Sequence, residues 1–288
     1  MIDLHMHSKY SDGSDDWVEL LQKAEAAGLT HISITDHKNC DIYSNIVWAD
    51  VPKYYSGKII LGIEPECFFH GRVMELLGYG FDLEKMNELL NGLYLPDEQV
   101  FTRQMKMFHA NLVRGGVKFS PDVLQTWDRS VHYYPSCHLL ADLKKYPQNK
   151  NIISDQESWD NSIQFFRNWS SDMKSPFYVD ESEFYPSLET MLNIIKQAGG
   201  KVFLPHVFIY GEASLPMLNE IVEKYDIDGI ECYYPSYTEE QTKFLLDFCK
   251  RHDLLISAGS DYHGCNRCNQ IGTGVSAEDI GLDGWGIK

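Results

Sequence analysis

Positive charge is scarce in this sequence. Its 25 Lys and Arg face 42 Asp and Glu, a formal net charge of −17 over 288 residues. Binding along a nucleic-acid backbone needs a basic face, so a large nucleic-acid surface is excluded. A small phosphorylated ligand is not, because cations held in a site reverse the local field. No apolar run approaches the roughly 20 residues that span a bilayer, and no membrane partner is expected. The segment Met1-Ile2-Asp3-Leu4-His5-Met6-His7-Ser8 lacks the basic and apolar stretches of a secretory signal. Cysteine is sparse too: the seven are odd in number and scattered, which fits reduced thiols in the cytoplasm better than a disulfide framework. Internal repeats and low-complexity tracts are missing. What remains is an ordinary globular composition, 43% hydrophobic and 23% charged, in a length that suits one large domain or two modest ones.

The first 80 residues alternate strand and helix signals. Ile2 to Met6 reads as a strand, and Ser14 to Asp16 offers helix caps. Trp17, Leu20, Leu21 and Ala24 then share one helical face, and Gly28 is placed to end the helix. Further strands are expected at Ile32–Ile34, Lys58–Ile63 and Val73–Tyr79. The rhythm resumes at Leu188 with helices Leu188–Ala198, Leu215–Tyr225 (Ser214 as cap) and Glu239–His252, and strands at Val202–Leu204, Gly229–Tyr233 and Leu254–Ser257. Strands mostly followed by helices predict parallel βα units, and about seven of them predict an α/β barrel related to the (β/α)₈ architecture. Between them the chain reads as mostly helical, at Leu83–Leu90, Asp97–Val113, Pro121–Trp127, Leu139–Lys145 and Ser154–Asn168. The expected organisation is therefore a barrel from residues 1–80 and 186–288, with a helical insertion, 81–185, acting as a lid.

The chemistry lies in where His and acidic residues fall. His5 and His7 are two apart on a strand, so both rings point to one side. Asp36 and His37 follow the second strand, Glu64 the third, and Glu75 lies in the fourth. His206 follows the strand ending at Leu204, and Glu231 lies in the next. Asp261 and His263 close the last unit, within Gly259-Ser260-Asp261-Tyr262-His263-Gly264. In a barrel these strand ends converge on one face. A lone His-x-His is more often structural. Taken together, however, these positions fit a core poorly, because buried charge is costly unless paired or bound to metal. More than five such ligands exceed one tetrahedral ion. They suit two or three divalent ions roughly 3.5–4 Å apart, which activate water and clamp a phosphoryl group.

The segments His5-Met6-His7-Ser8, Ser11-Asp12-Gly13, Thr35-Asp36-His37, Gly62-Ile63-Glu64, His206 and Gly259 to Gly264 resemble the motifs of the PHP family. That is the polymerase and histidinol phosphatase family of metal-dependent phosphoesterases. The resemblance covers the whole chain and is closest in kind to the branch that hydrolyses nucleotide mono- and bisphosphates or short oligonucleotides. It implies a distorted (β/α)₇ barrel, TIM-like, with two or three Mn, Fe or Zn ions. By that resemblance a first metal is held by His5, His7, Glu64 and Asp261, and a second by Glu64 and His206. A third takes Asp12, His37 and His263. A hydroxide bridging the ions attacks phosphorus, so no protein nucleophile is required. Relatives usually carry a His where this chain has Glu75; that carboxylate is a further candidate ligand, and His70 a lesser substitute. This chain also has Pro205-His206-Val207 where Ala-His-Pro is usual, and Ser136-Cys137-His138 lacks a neighbouring Arg.

For substrate phosphate the insertion offers Arg103, Arg129, His132, His138 and Arg167, of which Arg103 and His138 are singled out. Tyr133, Tyr134, Tyr178, Tyr234 and Tyr237 are stacking candidates for a base, although aromatics more often fill cores. Glu66 and Glu231 read as supports behind the ligands. His31, His109 and His252 read as ordinary surface or helix residues, and Cys265-x-x-Cys268 is a weak signal for a redox or accessory metal role. Two rival functions remain. One is an amidohydrolase-type C–N hydrolase, whose barrels also begin with His-x-His but use a bridging Lys. The other is a non-catalytic metal-binding regulatory module.

Overall fold

The computed structural model describes residues 1–287. After β1 (Ile2–Asp3), Asp16 starts α1 (Trp17–Ala26): its carboxylate accepts the amides of Val18 (2.9 Å) and Glu19 (3.0 Å), while the Glu19 side chain accepts the Asp16 amide (2.9 Å). Such a reciprocal cap contributes about 1 kcal/mol. The apolar face of α1 buries Leu20, Leu21 and Ala24 completely, and Gly28 leaves it at φ 66°, a conformation glycine adopts without Cβ strain. There follow β2 (His31–Ile32), α2 (Asp41–Asn45), β3 (Lys58–Ile59), β4 (Gly62–Ile63), β5 (Glu66–Phe69), β6 (Arg72–Glu75) and β7 (Leu77–Tyr79). Next come α3 (Leu83–Leu90), α4 (Asp97–Arg114), α5 (Pro135–Leu143), α6 (Gln156–Asp160) and α7 (Ser162–Phe165). The last third is α8 (Leu188–Gln197), β8 (Lys201–Leu204), α9 (Ser214–Lys224), β9 (Gly229–Tyr233), α10 (Glu239–His252) and β10 (Leu255–Ala258).

The chain divides into two compact units. The first comprises Met1–Cys67, Glu75–Leu93 and Leu188–Lys288; the second comprises Phe68–Met74 and Tyr94–Ser187. In the first, β1, β2 and β3 form a parallel sheet, and a second sheet runs β10-β9-β8-β7-β4. Here the expectation of uniformly parallel strands fails. β8, β9 and β10 are parallel, but β7 runs antiparallel to both β8 and β4. The reason is connectivity: the segment from β4 to β7 holds a hairpin, not a crossover helix, and parallel neighbours need a crossover. The fold is mixed α/β, with these two sheets, a separate two-stranded sheet of β5 and β6, and no closed barrel among the described residues. Backbone contacts nonetheless join sheet edges. Leu4 N donates to Ala258 O (3.0 Å), Asp261 N to His5 O (2.8 Å), His7 N to Tyr262 O (2.8 Å) and Glu64 N to Asp36 O (3.1 Å). Between the sheets Ile2, Leu4, Leu77, Tyr79, Phe203 and Trp285 pack into one buried cluster.

The second unit buries Met105, Phe108 and Leu112 of α4 with Leu139, Leu140 and Leu143 of α5 and Phe165 of α7. Its helices differ from expectation at three places. Pro121–Trp127 forms turns. Pro135, with its φ preset, opens α5 earlier than Leu139. The Ser154–Asn168 run is broken by Asn161, which sits extended and accepts the amides of Ile163 and Gln164, restarting the helix as a cap. In the first unit Ser214 likewise proves to be the opening residue of α9 and not its cap.

Candidate metal centre

Apart from His70, the candidate metal-ligating residues of the sequence lie in the first unit. Asp3 ties the two chain ends together beneath them: it accepts the Ser260 amide (2.9 Å) and hydroxyl (2.5 Å) and the Gly272 amide (2.7 Å). Burial nevertheless dominates Asp3 and pushes its pKa up to about 6. The strand-end loops are strained where they deliver side chains. His206 sits at φ 27° and Asp261 at φ 53°, left-handed conformations that cost non-glycine residues of order 1–3 kcal/mol each. Gly259 passes so close to His5 that a Cβ there would lie 2.1 Å from the His5 Cβ and 2.5 Å from Glu231 Oε1, so only glycine fits without a shift.

Four overlapping groups of potential ligand atoms result, each with its atoms within 4.8 Å of one another: His5/His7/Glu64/Asp261, His7/Asp12/His37/His263, Glu64/Glu75/His206 and His37/Glu66/Glu75. Glu64 is the hub. Its Oε2 lies 3.2 Å from both His5 Nε2 and His7 Nε2 and 3.3 Å from His37 Nδ1, and its Oε1 lies 2.8 Å from His206 Nε2. Glu75 Oε2 approaches His206 Nε2 at 3.8 Å and accepts from the Tyr210 hydroxyl at 3.3 Å. Glu66, read from sequence as a support, joins the last group and also pairs with Lys38 at 3.1 Å.

Behind these atoms stands a layer of holders. Glu231 takes His5 Nδ1 at 2.9 Å and the His206 amide at 2.7 Å, so one buried carboxylate orients two imidazole-bearing segments. Asp36 is not in any of the four groups; it accepts the Ser8 amide (2.8 Å) and the Ser8 and Ser11 hydroxyls, fixing the turn that carries Asp12. The Tyr234 hydroxyl donates to Asp261 Oδ2 at 2.8 Å. Arg267, which the sequence reading passed over, reaches both Asp12 (2.9 Å) and Asp261 (3.2 Å). Its only sequence signal was a lone cation close after the Asp261–His263 motif.

The electrostatics are those of a site built for cations. Burial opposes charge on His5, but the carboxylates of Glu64 and Glu231 outweigh it and hold its pKa well above the usual value. His7 is treated alike by Asp261 and Glu64 and is raised to about 10. Burial would lift Glu64, yet His5 and His37 pull it well below the carboxylate range. Asp12 and Asp261 are lowered by their imidazole neighbours in the same way. Burial and the nearby His7 lower His263. Five buried imidazole nitrogens, His5 Nε2, His7 Nε2, His37 Nδ1, His206 Nδ1 and His263 Nε2, make no well-formed hydrogen bond. Leaving such groups unsatisfied costs about 1–3 kcal/mol each. Mixed imidazole and carboxylate donors suit Zn, Fe or Mn, so the residues present fit divalent ions.

Elsewhere, in the second unit, Arg103 is exposed with its guanidinium 6.0 Å from the Phe184 ring, and His138 Nε2 lies 2.8 Å from Val123 O. His70 occupies the turn between β5 and β6, in none of the four groups. Cys265 and Cys268 are exposed free thiols.

Comparison with known proteins now bears on this site. The PHP domain model matches residues 3–225. A 5'-3' exoribonuclease from Haemophilus influenzae is 24% identical over 98% of this chain and 97% of its own. A 3',5'-nucleoside bisphosphate phosphatase from Chromobacterium violaceum is 27% identical over 91% of this chain and 87% of its own. A solved protein from Bifidobacterium adolescentis superposes with a TM-score of 0.63 at 20% identity, covering 98% of this chain and 94% of its own. The chain belongs to the PHP family. With it the chain belongs to the metal-dependent phosphoesterases, hydrolases that act on phosphoric ester bonds. Among the described residues no helix is long and apolar enough to cross a membrane.

Proposed function

We propose that this enzyme hydrolyses a nucleotide mono- or bisphosphate at the strand-end centre of its first unit. The reading is carried by the four overlapping ligand groups, in which buried imidazole nitrogens and carboxylate oxygens crowd within 4.8 Å of one another. His5, His7, Glu64 and Asp261 would hold one ion, Asp12, His37 and His263 another, and Glu64 with His206 and Glu75 a third. Bound divalent ions supply the acidity that makes water a nucleophile at neutral pH and the positive charge that screens phosphoryl oxygens. The chain's own part is placement: Glu231 fixes His5 in orientation, Asp36 fixes the Asp12 turn, and Glu64 serves several imidazoles at once. No side chain is required as nucleophile. Arg103 and His138 are proposed contacts for substrate phosphate. The joined sheet edges support reading the two sheets as a distorted (β/α)₇ barrel, with residues 81–185 inserted into it.

Of the two named relatives, the 3',5'-nucleoside bisphosphate phosphatase supports the substrate class, while the other is a 5'-3' exoribonuclease. A C–N hydrolase reading is less favoured, because Glu64 occupies the shared position among the imidazoles and fits phosphoester chemistry better together with Asp12 and His37. The test is phosphate release from nucleoside monophosphates, 3',5'-bisphosphates and short oligonucleotides with Mn²⁺, alongside amides. Release from one of the mono- or bisphosphates, lost with chelator, is expected. A protein that binds metal yet releases phosphate from none of them overturns the proposal.

A further inference from the structure

Arg267 sits between Cys265 and Cys268, and its guanidinium forks over two aspartates from opposite ends of the chain. Nη2 lies 2.9 Å from Asp12 Oδ2, and Nη1 lies 3.2 Å from Asp261 Oδ2. The other oxygen of each aspartate faces imidazoles. Asp12 Oδ1 is 3.0 Å from His263 Nε2, 3.5 Å from His37 Nε2 and 3.8 Å from His7 Nδ1. Asp261 Oδ1 is 3.2 Å from His7 Nε2, 3.4 Å from His263 Nδ1 and 3.6 Å from His5 Nε2. The loop bearing Arg267 is stitched to the same two segments. Asn266 Nδ2 donates to Asp12 O (2.8 Å), the Cys265 amide to Ser14 Oγ (2.9 Å), and Asn269 Nδ2 to Ser260 O (2.8 Å).

We propose that Arg267 is a positioning residue of the metal centre: by holding both Oδ2 atoms it fixes Asp12 and Asp261 as one-oxygen ligands, with Oδ1 turned to the cation. The inference rests on the metal-centre reading above. A carboxylate left to itself can rotate, or chelate through both oxygens. A planar guanidinium holds two of them at once with donors in a rigid fork, whereas the rotatable donors of an ammonium set their relative orientation less firmly. Groups that orient metal ligands typically contribute 10- to 100-fold in affinity. Coulomb's law alone gives the opposite sign, because a guanidinium beside a cation repels it and its removal should tighten binding. The direction of the change therefore separates positioning from mere proximity.

The experiment titrates Mn²⁺ and Zn²⁺ calorimetrically into metal-free parent, Arg267→Gln and Arg267→Lys proteins, and measures kcat and KM on one hydrolysed phosphate ester. Arg267→Gln is expected to weaken cation binding about tenfold or more and to lower kcat, with KM within about threefold of the parent value. Arg267→Lys should fall between, and it carries the test should the Gln variant unfold. Cation binding as tight as in the parent, or tighter, overturns the inference. So does a raised KM with unchanged cation affinity, which would make Arg267 a substrate contact. A parent protein that binds neither cation overturns the metal-centre reading itself, and this inference with it.

Discussion

In the second unit the buried carboxylate of Asp142 is answered one to one: it accepts the Ser120 amide at 2.8 Å and pairs with Lys145 at 2.7 Å. In the first unit Glu64 faces His5, His7, His37 and His206 at once, and those rings keep nitrogens that no well-formed hydrogen bond satisfies. Both arrangements bury charge. The first closes on itself, as a structural ion pair should, because a lone buried charge is expensive. The second points several imidazoles and carboxylates inward at one another, an arrangement that a bound cation would satisfy. Convergence without mutual satisfaction, more than burial, is what marks a ligand site.

The comparison can be broken most severely at the hub's neighbours. Asp261→Ala and His7→Ala are each expected to lower phosphoester turnover about a thousandfold, about 4 kcal/mol of transition-state stabilisation, while the metal-free chain still melts cooperatively. Parent-like phosphate release from either variant would remove these residues from the centre. A smaller effect follows from ligand linkage. Mn²⁺ or Zn²⁺ at a hundredfold excess over Kd should stabilise the first unit by about 2.7 kcal/mol. Hydrogen exchange should then slow at residues 5–7 and 259–263 and stay unchanged in α5; uniform protection of both units would erase the contrast. Asp142→Ala should cost about 2 kcal/mol, since it strands the Ser120 amide, and should leave calorimetric cation binding as it was.

The smallest effect is a proton count. In the metal-free centre the raised pKa of His7, about 10 against an ordinary 6.5, keeps its ring charged at pH 7. That charge contributes stability which is fully present below pH 6.5 and is lost as pH rises through 10. A cation needs the neutral ring, so binding must expel protons, and cation affinity should climb as pH rises from 7 toward 10. Calorimetry in buffers of different ionisation enthalpy reads the protons released. A buffer-independent heat would show that the His7 charge is not involved.

Much of the centre was legible in the sequence because strand-end chemistry is local. The period of two put His5 and His7 on one side, and turn motifs after strands flagged His37, Glu64, His206 and Asp261. Other features were hidden. The direction of β7 depended on a hairpin that reads much like any short apolar strand pair. Arg267 lies beyond the last motif and gains meaning only beside Asp12, far away in the chain. Glu231 could be suspected as a support, but not that it would serve both His5 and the His206 backbone.

The sequence by itself settled which residue types stand at the ends of strands, because hydrophobic periodicity and turn chemistry act over a few neighbouring positions. Only the tertiary structure decided that residues 5, 12, 64, 206 and 261 share one buried space, and which oxygen of each aspartate faces which partner. That outcome comes from strand pairing between distant segments and from the cost of burying charge, and neither is written in spacing along the chain.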